Sequence, residues 1–197
     1  MSARILHVGA SKATGLAPAV AGAHDAPLDP ADLERFRALM LPHLDGAYSY
    51  ARFLCRDAAV AEDLSQEAFL RACRGFRGYR GGDAKAWLFA VVRSCFLTWA
   101  RGPARREDAA EETLAALPAD GDTPEDAAVR CSETDQLRAA IQALPEPFRE
   151  TLVLRELEEL SYKELSEVTG APIGTVMSRL ARARQLHIAS LREEDRP

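Results

Sequence analysis

Aromatic residues are scarce, 7% of the 197 positions, and no run of about 18 apolar residues occurs, which excludes a membrane-spanning helix. Residues 1–30 are rich in Ala, Gly and Pro but lack a basic start followed by an unbroken apolar stretch. No cleaved export signal is therefore expected. The four cysteines, Cys55, Cys73, Cys95 and Cys131, show no CxxC spacing and no neighbouring histidine. They read as small buried hydrophobes in a reducing cytoplasm rather than as disulfides or metal ligands. His7, His24, His43 and His187 stand apart from one another. GASKATG at 9–15 lacks the closing Gly-Lys-Ser/Thr of a phosphate loop. With no nucleophile–base pair, metal cluster or cofactor loop, neither catalysis nor a bound cofactor is expected.

What is present is helix-forming residue and unevenly placed charge. Hydrophobic residues are 47% and charged residues 28% of the chain, an ordinary globular balance. Abundant Ala, Leu, Arg and Glu point to helix over sheet. The net charge of −5 is distributed unevenly. Residues 52–106 hold eleven Arg or Lys against five Asp or Glu, and residues 107–126 hold eight acids and no base. Residues 173–192 hold Arg179, Arg182, Arg184 and Arg192 with no acid. Local field steers a polyanion, so two basic stretches flanking an acidic one suit nucleic acid better than the total suggests.

Periodicity predicts an all-α chain of two small bundles. Leu33, Phe36, Met40, Leu44 and Ala47 recur at helical steps from Asp32, with Pro42 bending or splitting the helix. A second helix is expected from Ala58 to Arg74, with Val60, Leu64, Ala68 and Ala72 inward. Its outward face carries Asp63, Gln66, Glu67, Leu70 and Arg74, either solvated or a docking surface for a partner helix. After a Gly- and Arg-rich loop, Phe76–Asp83, Asp83 caps a third helix, Ala84 to about Arg101. Both tryptophans, Trp87 and Trp99, lie there with Phe89, Phe96, Lys85, Arg93 and Arg101. Rings interleaved with cations suit single-stranded DNA; on periodicity alone most of these rings belong in the core.

Pro118 and Gly121 mark an acidic linker, and Thr123-Pro124 opens the next helix. That helix places Leu137, Ile141 and Leu144 on one face and ends before Pro145. Another is expected near Pro147 to Leu160, with Val153, Leu157 and Leu160 in phase. Ser161-Tyr162-Lys163-Glu164 is a capping box starting a short helix that ends at Gly170. The last helix runs from Ile173 to about Leu191. A short capped helix, a Gly-containing turn and a longer helix make a helix-turn-helix. At about 100° per residue, Ile173, Val176, Leu180, Ala183 and Leu191 fall inward. Thr175, Ser178, Arg179, Arg182 and Gln185 fall outward, a hydrogen-bonding and cationic face suited to base edges and phosphates.

AEDLSQEAFLRACRGF (61–76), AWLFAVVRS (86–94) and ALPEPFRETLVLRELEELSYKELSEVTGAPIGTVMSRLARAR (143–184) closely resemble the extracytoplasmic-function (ECF) group of the bacterial sigma-70 family. The resemblance covers roughly residues 32–193 and rests on two motifs in the right order. Composition marks residues 1–30 as a flexible extension, and the resemblance implies a region 2 domain at 31–102 that binds core polymerase and melts and reads the −10 element. Past the acidic linker at 103–123, it further implies a region 4 domain at 124–193 that reads the −35 element. Asp63, Gln66, Glu67 and Leu70 match the helix that docks on the polymerase clamp coiled coil. The loop Phe76–Lys85 matches the one that captures an extruded non-template base. Lys85, Arg93, Ser94, Thr98 and Arg101 match −10 contacts, and Thr175, Ser178, Arg179 and Arg182 match the −35 reading helix. Family members often have Asn at Ser94, Asp at Thr98 and Lys at Met177, which puts the promoter sequence read in doubt.

The implied partners are core RNA polymerase (clamp coiled coil and flap), promoter DNA, duplex at −35 and melted at −10, and a cognate anti-sigma factor. The implied location is the cytoplasm, without membrane insertion. Two other readings compete. A dimeric helix-turn-helix regulator has no need of residues 61–101, and a sigma-like decoy has no need of Arg179 and Arg182.

Overall fold

The computed structural model of the chain describes residues 28–102 and 136–194. In the first part, α1 spans Pro30–Met40, capped by the Asp29 carboxylate accepting from the Asp32 N–H at 2.8 Å. A single 3₁₀ turn, Leu41–His43, follows around Pro42 before α2, Leu44–Cys55. Proline lacks the N–H that a continuous helix needs there, so the helix splits. Arg56 closes α2 in the left-handed conformation. Asp57 and Asp83 then cap α3 (Ala58–Gly75) and α4 (Ala84–Arg101), accepting from Val60 and Ala86 at 2.9 and 2.6 Å. Each carboxylate satisfies an orphan N–H and complements the positive helix end.

The second part begins in a helical stretch at 136–143, here α5. Next is α6, Glu146–Leu152, which opens into a wide π turn at Val153–Leu157. Ser161 and Glu164 form the full reciprocal capping box of α7, Tyr162–Thr169, a motif whose loss costs about 1 kcal/mol. Gly170, at φ 67°, ends α7, and α8 runs Ile173–Glu194. The opening of the helix expected at Thr123, the acidic linker and Cys131 lie outside the described residues.

Phase places most of the core as expected. Leu64, Ala68 and Ala72 of α3 are buried, as are Val176, Leu180 and Ala183 of α8. Four apolar positions depart from the pattern: Leu44, Leu137, Leu157 and Ile173 are 42, 42, 45 and 46% exposed; Leu44 is the first residue of α2, just past the break at Pro42. Leu137 and Ile173 lie in the first turns described for α5 and α8, beyond the packed surface. Leu157 is turned out by the π turn. There the Glu158 N–H bonds the Val153 carbonyl and the Leu160 N–H bonds the Leu154 carbonyl, at 3.1 and 3.0 Å. The extra residue in the turn breaks the 3.6 period, so Leu157 points outward while Glu158 is buried.

The helices on the two sides of the linker pack directly on each other, α2 against α6 and α4 against α7. Their buried side chains form one contiguous cluster, from Phe36, Tyr50 and Phe89 to Leu154, Leu165 and Leu180. This explains why α4 is buried without a break from Ala86 to Val92. One face lies on α2 and α3, and another lies under α7. Trp87, Phe89 and Phe96 are core residues, and Trp99 packs partly buried against them.

Candidate nucleic-acid interface

The face of α8 is the simplest to build. Thr175, Ser178, Arg179 and Arg182 lie within one stripe, since steps of three and four residues return to the same side. Ser178 and Arg182 are exposed; Thr175 and Arg179 are half-buried. The Ser178 hydroxyl donates back to the Thr175 carbonyl at 2.9 Å, and the Arg182 guanidinium reaches the Gln185 side-chain oxygen at 3.4 Å. Arg184, off this stripe, pairs with Glu156 at 2.6 Å, and that hydrogen bond raises its pKa. Arg179 forms no ion pair among the described residues. The inner side of α8 is fixed by Val176, Leu180 and Ala183, and the turn before it by Gly170 and by Ser166 donating to the Ala171 carbonyl at 2.7 Å. A helix held this way presents two guanidinium groups outward, with no carboxylate between Thr175 and Arg182.

On α3, Asp63, Gln66, Glu67 and Leu70 likewise share one stripe. Asp63, Gln66 and Leu70 are exposed, and Glu67 is half-buried, accepting from Arg71 Nε at 2.6 Å. That bond raises the Arg71 pKa against the opposing pull of burial. A leucine 53% exposed beside three hydrogen-bonding side chains is a mixed surface of the kind a partner helix uses.

The five candidates on α4 divide. Ser94, Thr98 and Arg101 are exposed on one side, with the Thr98 hydroxyl donating to the Ser94 carbonyl at 2.9 Å. Lys85 and Arg93 stand two turns apart on another side, with Phe89 between them, facing the second set of helices. Arg93 Nε donates to Glu150 Oε1 at 2.7 Å, and the Tyr50 hydroxyl donates to the same oxygen at 2.8 Å. Lys85 Nζ pairs with Glu158 Oε2 at 2.9 Å and donates to the Glu158 carbonyl at 2.7 Å. Glu150 is only 3% exposed. Burial depresses the Arg93 pKa, but the Glu150 charge and hydrogen bond outweigh it and hold it above its ordinary value. Burial, then the Glu150 charge and hydrogen bond, push the Tyr50 phenol well above its ordinary value. Stranding one member of so buried a pair costs about 3–5 kcal/mol.

Glu150, Glu158 and Tyr50 were not among the residues singled out from sequence. Glu150 and Glu158 lie within the 143–184 segment, but their pairing joins positions that periodicity does not relate. One signal was readable: Gly46 sits inside a strongly helical pattern, where glycine costs about 1 kcal/mol relative to alanine. A Cβ there would lie 2.7 Å from Glu158 Oε2 and 3.2 Å from Phe89 Cζ, so the close approach of the two helix sets uses its missing side chain.

The loop before α4 is shaped by rings and glycines. Tyr79 stacks on Phe76 with centroids 5.7 Å apart, meets Trp87 at 5.2 Å, and donates to the Gly82 carbonyl at 2.7 Å. Gly81 and Gly82 take φ of 92 and 97°, values costly for a side-chain-bearing residue. Beside them lies a cleft of about 260 Å³ lined by Gly81, Gly82, Asp83 and Trp87 from one side and Lys163, Glu164 and Glu167 of α7 from the other.

Comparison with known proteins now decides the family. Residues 39–107 match the model for sigma-70 region 2, and residues 134–186 match that for sigma-70 region 4. The ECF RNA polymerase sigma factor SigM of Bacillus subtilis is 30% identical over 143 residues, covering 73% of this chain and 86% of that protein. This chain belongs to the ECF group of the sigma-70 family. The ECF sigma factor SigE of Mycolicibacterium smegmatis is 35% identical over 162 residues, 82% of this chain and 63% of that relative's length. Among solved structures, the sigma factor RpoE in complex with the anti-sigma factor NepR from Bartonella quintana matches with a TM-score of 0.68. It is 27% identical, and the match covers 83% of this chain and 99% of that one, so it spans both helix sets of this ECF protein. No described helix is long and apolar enough to cross a membrane.

Proposed function

We propose that this ECF protein acts in the cytoplasm as a promoter-recognition factor, binding core RNA polymerase and directing it to start sites without performing catalysis itself. The observation that carries the reading is the pairing, in one chain, of two different outward faces. The acid-free Thr175–Arg182 stripe on α8 suits duplex DNA, and the Asp63–Leu70 stripe on α3 suits a protein helix. In this reading residues 31–102 work as region 2, 103–123 as the tether and 124–193 as region 4, with 1–30 as an extension. Asp63, Gln66, Glu67 and Leu70 meet the clamp coiled coil. Lys85, Arg93, Ser94, Thr98 and Arg101 serve the −10 element. Thr175, Ser178, Arg179 and Arg182 read the −35 element. The likeness to a sigma factor solved with its anti-sigma factor supports regulation by such a partner.

Footprinting tests the reading on a DNA fragment taken from upstream of the chain's own coding sequence. Protection spanning both promoter elements is expected only when core polymerase and the chain are present together. A symmetric footprint from the chain alone contradicts it and favours a dimeric helix-turn-helix regulator.

A further inference from the structure

The face that α8 turns outward has two flanks of different chemistry. At about 100° per residue, Thr175, Arg179 and Arg182 share one flank. Ile173, Met177 and Ala181 follow one another at steps of four residues along the other, and Ser178 stands between. All three apolar residues are exposed, Met177 by 53% and Ile173 by 46%. Packing does not account for them, because Val176, Leu180 and Ala183 already fill the inner side of α8. An isolated apolar side chain at a surface needs no explanation, whereas a continuous strip does. Gly174 lies on the same exposed side, with no other part of the chain within 4 Å of where a Cβ would sit. The first turn of the strip is therefore open to a close approach. No acid occurs from Ile173 to Arg192, and Arg179 and Arg182 stand beside the strip, so its surroundings suit a polyanion. In a helix-turn-helix, the N-terminal residues of the second helix are the ones that meet base edges. The major groove offers such residues hydrogen-bonding edges and one apolar group, the C5-methyl of thymine.

We propose that Ile173 and Met177 are specificity residues of α8 that read thymine methyl groups, selecting A·T pairs in the part of the −35 duplex beneath the apolar flank. The inference rests on the assignment of α8 to the −35 element given above. It names the bases that the hydrogen-bonding stripe leaves unspecified. Four residues advance about 6 Å along a helix, against about 3.4 Å between base pairs, so the two side chains address different pairs. Their shapes suit different tasks. Ile173 is β-branched and stiff, and holds one position at the start of α8. Met177 is unbranched and polarizable, able to follow a methyl group without a fixed pocket. Neither side chain has a hydrogen to donate, so each gains most where the base edge is apolar and loses where a donor or acceptor is left unpaired beneath it.

The test uses core polymerase loaded with the full-length chain and a labelled fragment of the chain's own upstream DNA. Each thymine of the footprinted −35 segment, on either strand, is replaced in turn by uracil, which keeps the base pair and lacks only the methyl group. Wild-type affinity is expected to fall about fourfold at the thymine facing Met177 and at the one facing Ile173, the effect of withdrawing one buried methyl group. Met177→Ala is expected to bind the unmodified fragment about fourfold more weakly and to be indifferent to uracil at the first position. Ile173→Ala is expected to do the same at the second. Met177→Leu, still apolar, is expected to keep the uracil effect. Both residues stand outside the core, and a thermal melt confirms that the variants fold. Uracil without effect at every position overturns the proposal. So do uracil losses that persist unchanged in both alanine variants, and alanine variants that weaken thymine and uracil fragments alike. Wild-type binding to the unmodified fragment in those cases leaves the promoter reading standing. Its absence overturns that reading, and the inference with it.

Discussion

Replacing Asp63 and Glu67 together by Lys is expected to abolish capture of core polymerase while leaving the fold intact. The stripe they occupy faces away from the core, which α3 enters through Leu64, Ala68 and Ala72. Lysine is a good helix former, so the helix itself loses little beyond the Glu67–Arg71 pair at 2.6 Å, worth about 0.2–0.5 kcal/mol as an i,i+4 contact. The interface loses far more. The face changes by four charge units, and like charges juxtaposed across an interface cost several kcal/mol. Association weakened by at least about a hundredfold, or ~3 kcal/mol, follows. Co-elution with core polymerase in gel filtration measures this, with a thermal melt confirming the fold. Co-elution at the wild-type level would mean that another face of the chain does the docking.

Arg179→Ala and Arg182→Ala are each expected to weaken binding to a −35 duplex by about 1–3 kcal/mol if the guanidinium reaches a base edge. Both side chains stand on the outward stripe of α8, one turn apart, where removing them opens no cavity. Salt titration separates two ways of binding. A base contact, when lost, relaxes discrimination between the site and a scrambled duplex. A phosphate contact weakens both duplexes alike and lowers the salt slope by about 1. Arg179 is half-buried and Arg182 exposed, so Arg179 is expected to show the first pattern and Arg182 the second. Neighbouring positions couple, so the double variant is expected to depart from the sum of the singles. Duplex binding unchanged in both single variants would remove α8 as the reading helix.

Much of this architecture could be read from local chemistry. Asp83 and the Ser161–Glu164 box announce their helix starts, and Pro42 announces a break, because each acts on backbone groups within a few residues. The inward faces of α3 and α8 follow from period alone. What period cannot supply is a change of period. The π turn at Val153–Leu157 sends Leu157 to solvent and brings Glu158 inside, and no nearby glycine or proline marks it. Nor can it supply contacts between segments 57 or 100 positions apart. The bonds of Tyr50 and Arg93 to Glu150 depend on how two helix sets meet across the linker. For the same reason the −10 candidates on α4 divide: Ser94, Thr98 and Arg101 toward solvent, and Lys85 and Arg93 under the second set. The α3 and α8 faces were legible because each needs only one helix to assemble it.

Run-off transcription tests the central claim most directly: the purified chain and core polymerase on a linear template carrying the chain's own upstream DNA. A discrete transcript starting downstream of that DNA, absent when either protein is omitted, is the expected result. A template left silent by the two proteins together, across a range of salt and with both shown to be folded, would contradict the account.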